Sequence, residues 1–196
     1  MKIGHLILRH DTTRAVVLAL TVCLVPLLVS GCGPKEAKPE EKATGLALSS
    51  SVFKEGGTIP AKYTCDGEGV SPPLTWGEPP VGTQSFALIM EDLDAPAGVF
   101  THWVLFNVPQ DSRGLPEGVP TQAQLSSGAL QGRNDFQGIG YGSPCPPVGS
   151  PHRYRFTLYA LDRQLELEAE ASKRQVLDAM QGHILAQAQL VGTYQR

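Results

Sequence analysis

From Leu46 to Arg196 the apolar positions come in short alternating or continuous bursts separated by turn residues, until one late stretch changes to a helical period. Leu46, Leu48, Val52 and Phe53 predict a first strand over residues 46–54. Residues 56–76 are broken by Gly56-Gly57, Asp66-Gly67 and Ser71-Pro72-Pro73, all turn signals. Residues 85–91 (SFALIME) form a continuous apolar run, the mark of a buried strand, and residues 100–108 form a second rich in β-branched and aromatic side chains. Over residues 153–162, Tyr154, Phe156, Leu158 and Ala160 share one parity while Arg153, Arg155 and Thr157 share the other, a third strand with distinct faces. Ser172 is placed to cap a helix after the acidic stretch 166–170, and Val176, Leu177, Met180, Ile184 and Leu185 then recur at helical spacing. Residues 190–194 suit a short final strand. The pattern predicts a mainly β sandwich with a late helix packed against it.

Composition narrows this further. With 21 Gly and 16 Pro, near a fifth of the chain, a turn-rich strand protein is favoured over a helical bundle. The formal charge is −3, and without residues 1–31 the chain keeps 13 basic and 18 acidic side chains. A mildly acidic domain lacks the basic footprint of a nucleic-acid binder.

The N-terminus reads as an export signal. Arg9, His10 and Arg14 precede an apolar segment from Ala15 to Val29, interrupted by Thr21 and Pro26 and short for a membrane span. It ends in Val29-Ser30-Gly31-Cys32, which resembles the lipobox of bacterial lipoproteins. The expected processing is removal of residues 1–31 and lipidation of Cys32, with Gly33 favouring the outer membrane if the cell is Gram-negative. Residues 32–45 then form a charged, disordered tether, and residues 46–196 form the folded domain. Of the four cysteines, Cys23 leaves with the signal and Cys32 carries lipid. Cys65 and Cys145 remain in an oxidising compartment, where a disulfide between them is expected; two buried free thiols are the alternative.

Two short motifs carry candidate chemistry. Asp92-Leu93-Asp94-Ala95-Pro96 follows the buried run and leads to Thr101-His102-Trp103. On extended chain the two carboxylates point the same way, and Pro96 stops the strand and suits a cis turn. The second motif, residues 142–149 (GSPCPPVG), leads to His152-Arg153-Tyr154. His152 and Tyr154 share a strand face, where imidazole and phenol can both donate to an oxyanion. Arg153 points to the other face, as a structural partner for a buried Asp. His183 on the late helix reads as structural or surface.

These motifs, with Tyr63-Thr64-Cys65-Asp66-Gly67, Ser71-Pro72-Pro73-Leu74, Gly82-Thr83-Gln84-Ser85 and Gly140-Tyr141-Gly142 in order, make residues 46–196 resemble the phosphatidylethanolamine-binding proteins, in their prokaryotic Raf-kinase-inhibitor-like branch. The resemblance implies a large central antiparallel sheet covered by a smaller one, with a C-terminal helix. It also implies an anion pocket made of Asp92, Asp94, Pro96, His102, Cys145, Pro146, His152 and Tyr154. Leu93 stands where the family's DPDxP pattern has proline, and the long surface loops of the animal proteins are missing, so kinase inhibition does not carry over.

The resulting expectation is a membrane-anchored envelope lipoprotein that binds a small phosphorylated or otherwise anionic ligand without catalysis, cofactor, metal or nucleic acid. An inhibitor or modulator of an envelope enzyme, acting on an unidentified protein partner, is the alternative. A metal-dependent hydrolase using Asp92, Asp94, His102 and His152 ranks lower, because the chain has no GxSxG, HExxH or Walker loop.

Overall fold

The computed structural model describes residues 45–196. The expected signal segment, the lipidation site Cys32 and nearly all of the tether lie outside the described residues. Eight strands and one α-helix follow in chain order: β1 (Leu48–Ser49), β2 (Leu74–Trp76), β3 (Ser85–Asp92), β4 (Phe100–Pro109), β5 (Gly114–Leu115), β6 (Leu130–Gln131), β7 (His152–Leu161), α1 (Lys173–Met180) and β8 (Ile184–Tyr194). They form a three-stranded sheet in the order β1-β2-β5 and a five-stranded sheet in the order β6-β4-β3-β7-β8. All of these pairings are antiparallel.

The parity of the central strands explains their composition. Phe86, Leu88 and Met90 of β3, Trp103 and Leu105 of β4, and Tyr154, Phe156 and Leu158 of β7 join Leu48, Leu74 and Trp76 in the core between the sheets. The intervening residues Ala87, Ile89, Val104 and Phe106 face the other way, onto Leu165, Val176 and Met180. With α1 and its flanking loop on one face and the small sheet on the other, β3 is buried throughout its apolar run, which is why that run shows no alternation.

Three element boundaries differ from the sequence expectation. Only Leu48 and Ser49 of residues 46–54 form a strand; Val52 and Phe53 still pack on the core, while the Ser50 hydroxyl donates to the Pro73 carbonyl and turns the chain. The helix begins as expected, with a reciprocal Ser172–Gln175 capping box, but ends at Met180. Gly182, with φ of 78°, then reverses the chain, so Ile184 and Leu185 open β8 instead of extending the helical face. The last strand is therefore eleven residues long, because it pairs along the whole of β7. His183 lies in that turn, where its Nδ1 is 2.9 Å from Asp162 Oδ1.

Cys65 and Cys145 are joined in a disulfide. Every peptide bond among the described residues is trans, including the one before Pro96.

Candidate functional site

The sheet order brings the end of β3 beside the beginnings of β4 and β7. Asp92 is opposite Phe100 on one side and Tyr154 on the other. At this end lies a cavity of about 160 Å³ whose lining includes Asp92, Pro96, Phe100, His102, Phe136 and His152. Ala95, Cys145, Pro146 and Pro147 complete it. Larger hollows of about 610 and 210 Å³, around Gln84–Asp111 and around Val119–Ser127, contain no imidazole.

His102 reaches this cavity through an irregularity. Met90 pairs with Trp103 and Glu91 with Thr101, so His102 is an extra residue in β4, a β-bulge. The inserted residue shifts the alternation, so His102 and Trp103 turn toward the same face although they are neighbours in the chain. The His102 ring thereby meets the Tyr154 ring edge-on at 5.2 Å, while Trp103 keeps its place in the core. Gly142 N–H donates to the His102 carbonyl at 2.8 Å, and His102 Nδ1–H donates back to the Gly142 carbonyl at 2.7 Å. A carbonyl can only accept, so the proton of neutral His102 is on Nδ1 and Nε2 keeps a lone pair. Burial pushes the His102 pKa below its ordinary value, against the opposing effects of Gly142 and Asp92.

His152 is anchored in the same manner. Its Nδ1 is 2.8 Å from Asp92 Oδ2, both side chains being largely buried. Asp92 Oδ1 accepts the Asp94 N–H at 2.9 Å, so this carboxylate organises the turn as well as the imidazole. Nε2 of each histidine makes no hydrogen bond within the described residues. Tyr154 is fully buried beneath the two rings, and its hydroxyl has no hydrogen-bond partner among the described residues. Burial, reinforced by the neighbouring Asp92 carboxylate, pushes its pKa up, so the phenol stays protonated.

Six of the eight residues expected at the pocket therefore line the cavity: Asp92, Pro96, His102, Cys145, Pro146 and His152. Tyr154 supports it from below. Asp94 is a correction: β3 ends at Asp92, the chain turns, and Asp94 faces Arg153 instead of sharing a direction with Asp92. Its Oδ2 accepts Arg153 N–H at 2.8 Å and Nε at 2.9 Å, and its Oδ1 accepts from the guanidinium at 2.7 Å. The Arg153 guanidinium holds the Asp94 pKa down at about 2. Arg153 is thus the partner of an Asp, as its parity predicts, although Asp94 is half-buried and not buried, and the pair clamps the β3 turn to the start of β7.

The sequence reading missed Phe100, Phe136, Pro147 and Gly142. Phe136 was detectable as the one large apolar side chain in the polar loop 132–138 (GRNDFQG). Gly142 matters because a Cβ there would meet the Phe136 ring at 2.7 Å. Among the described residues no group of three or more His, Cys, Asp or Glu side chains is arranged to hold a metal ion.

Comparison with known proteins agrees with this architecture. Residues 49–195 match the family model described as phosphatidylethanolamine-binding protein. A UPF0098 protein of Methanothermobacter thermautotrophicus is 54% identical over 151 residues, covering 77% of this chain and 99% of the relative. One from Aquifex aeolicus is 49% identical over 153 residues, covering 77% and 89%. Among solved structures, the phosphatidylethanolamine-binding protein homologue CT736 of Chlamydia trachomatis superposes with a TM-score of 0.71 at 43% identity, covering 78% of this chain and 98% of that one. YbcL of Escherichia coli, described as a member of the mammalian PEBP family, gives 0.72 at 32% identity, covering 77% and 98%. The chain belongs to the phosphatidylethanolamine-binding protein family.

Proposed function

We propose that this protein is a lipid-anchored envelope protein that binds the anionic head of a small ligand, phosphate or a phosphorylated compound, without transforming it. The observation that carries this reading is the pair of imidazoles at one small cavity, each anchored through Nδ1 and each leaving Nε2 without a protein partner. Protonated, the two rings present two charge-assisted donors to one oxyanion. The carboxylates are already engaged, Asp92 with His152 and Asp94 with Arg153, which supports binding over acid–base chemistry. Anchoring rests on the Val29–Cys32 sequence and on nothing in the described fold.

Burial lowers the His102 pKa, so this ring is mostly neutral near pH 7 and must take up a proton to donate from Nε2. Anion affinity therefore rises as pH falls through the histidine range and weakens as pH rises. The test is calorimetric titration of the protein with phosphate between pH 5.5 and 8, beside His152→Asn. Asparagine retains an N–H donor near the Nδ1 position for Asp92 while deleting Nε2. Binding in the wild type that strengthens on acidification and is lost in the variant supports the reading. Absence of binding, or affinity independent of pH and of the variant, rejects it. Loss of radiolabelled palmitate incorporation in Cys32→Ser tests the anchor separately.

A further inference from the structure

Phe136 stands out from its surroundings. It is 53% exposed, yet its loop is held firmly in place. Asp135 N–H donates to the Thr101 carbonyl at 2.9 Å, and Thr101 N–H donates to Asp135 Oδ2 at 2.6 Å. The Asn134 side chain closes the loop by donating to the Gly140 carbonyl and accepting from Gly138 N–H, each at 3.1 Å. The ring packs edge-on against Phe100 at 4.7 Å and against His102 at 5.1 Å, in space left by the missing side chain of Gly142. A half-exposed phenyl ring on a loop fixed this way is a preformed wall.

That wall completes a sharp division of the cavity. The polar side chains that line it are Asp92, His102 and His152; the other lining side chains are apolar apart from the bonded sulfur of Cys145. Exposed Val99 and Val148 adjoin Phe100 and Pro147 in the chain. A ligand whose charged head reaches both imidazoles has to leave the cavity across these groups. A polyol stem would lose water there against side chains that offer it no hydrogen bond. A flat apolar stem would cover the phenyl and pyrrolidine rings over its whole face.

Building on the anion-pocket reading, we infer that the ligand class is a phosphate monoester of an aryl or similarly flat apolar alcohol, with Phe136 as its specificity-determining residue. Phe136 touches the stem and not the head, so its removal separates the two parts of recognition.

The test is calorimetric titration, in phosphate-free buffer at pH 6, of the wild-type protein and Phe136→Ala with inorganic phosphate, glycerol 3-phosphate and phenyl phosphate. Near-ultraviolet circular dichroism establishes that the variant is folded; its ring is half exposed and lies outside both cores. The wild type is expected to prefer phenyl phosphate over glycerol 3-phosphate by about tenfold, the upper range of an aromatic contact. In Phe136→Ala this preference is expected to fall to about twofold or less, with phenyl phosphate losing more affinity than inorganic phosphate. Phosphate binding with no aryl preference, or a preference that survives in the variant, overturns this inference alone. No binding of any of the three ligands overturns it together with the anion-pocket reading.

Discussion

Replacing Cys65 and Cys145 together by serine removes a cross-link between residues 80 apart in sequence. For a loop of that length the chain-entropy relation gives about 15 cal/mol/K, or about 4.5 kcal/mol at 25 °C. The folded state keeps most of what surrounds the bridge. Cys65 N–H still donates to the Pro144 carbonyl at 3.0 Å, and Asp66 still accepts from the Tyr194 hydroxyl at 2.7 Å and from Arg196 Nε at 3.1 Å. Both cysteines are exposed, so serine hydroxyls remain hydrated and the cost falls mainly on the unfolded chain. Equilibrium urea unfolding of the double variant, beside the wild type, reads the difference. With a slope of ~2 kcal/mol/M the midpoint falls by about 2 M. A loss below ~1 kcal/mol would refute the reasoning, since it would mean that the unfolded chain gains little freedom when the two segments are released.

Gln131 is fully buried and accepts from Trp103 Nε1 at 2.8 Å while donating to the Pro120 and Gln122 carbonyls at 2.8 Å. Gln131→Ala leaves the buried Trp103 indole N–H without its acceptor and the carbonyls of exposed Pro120 and Gln122 without a donor, and is expected to cost about 2 kcal/mol in urea unfolding; a cost under ~1 kcal/mol would contradict that account. Gly142→Ala puts a Cβ 2.7 Å from the Phe136 ring and 3.1 Å from the His102 carbonyl, so it should weaken anion binding by shifting His102, whose Nδ1 bonds the Gly142 carbonyl, and unchanged affinity in titration would count against it. His102 has a lower pKa folded than unfolded, so the unfolded chain binds more protons as pH drops below about 6.5; thermal stability is therefore expected to fall on acidification, less so in His102→Gln. Asp94 is held at about 2, so its contribution is present above the ordinary carboxylate pKa and lost as pH falls through that lower value. Asp94→Asn should flatten acid unfolding below pH 4, and an unaltered acid profile would remove Asp94 from the clamp.

The strands that build the core were readable because period-2 alternation states which side chains share a face. Tyr154, Phe156 and Leu158 fall where their parity puts them, with Arg155 and Thr157 on the other side. The same parity identified His152 and the role of Arg153. Where local pattern competes with tertiary pairing it misleads: Ile184 and Leu185 continue the helical spacing, yet pairing along β7 and the reversal at Gly182 make them strand. Asp94 was misread for a related reason. Its direction depends on a turn and on an arginine 59 residues away.

The sequence by itself determined the strand-rich class, the buried character of β3 and β4, the cysteine pair that forms the disulfide and the two motifs that meet at the cavity. These follow from apolar periodicity, turn chemistry and residue type, which are local properties. Only the tertiary structure decided that His102 stands in a bulge, that Gly142 holds its tautomer, and that Phe136 forms a wall beside it. Each depends on groups between 6 and 40 residues apart, and a hydrogen-bond partner or a missing Cβ at that separation leaves no periodic trace in the chain.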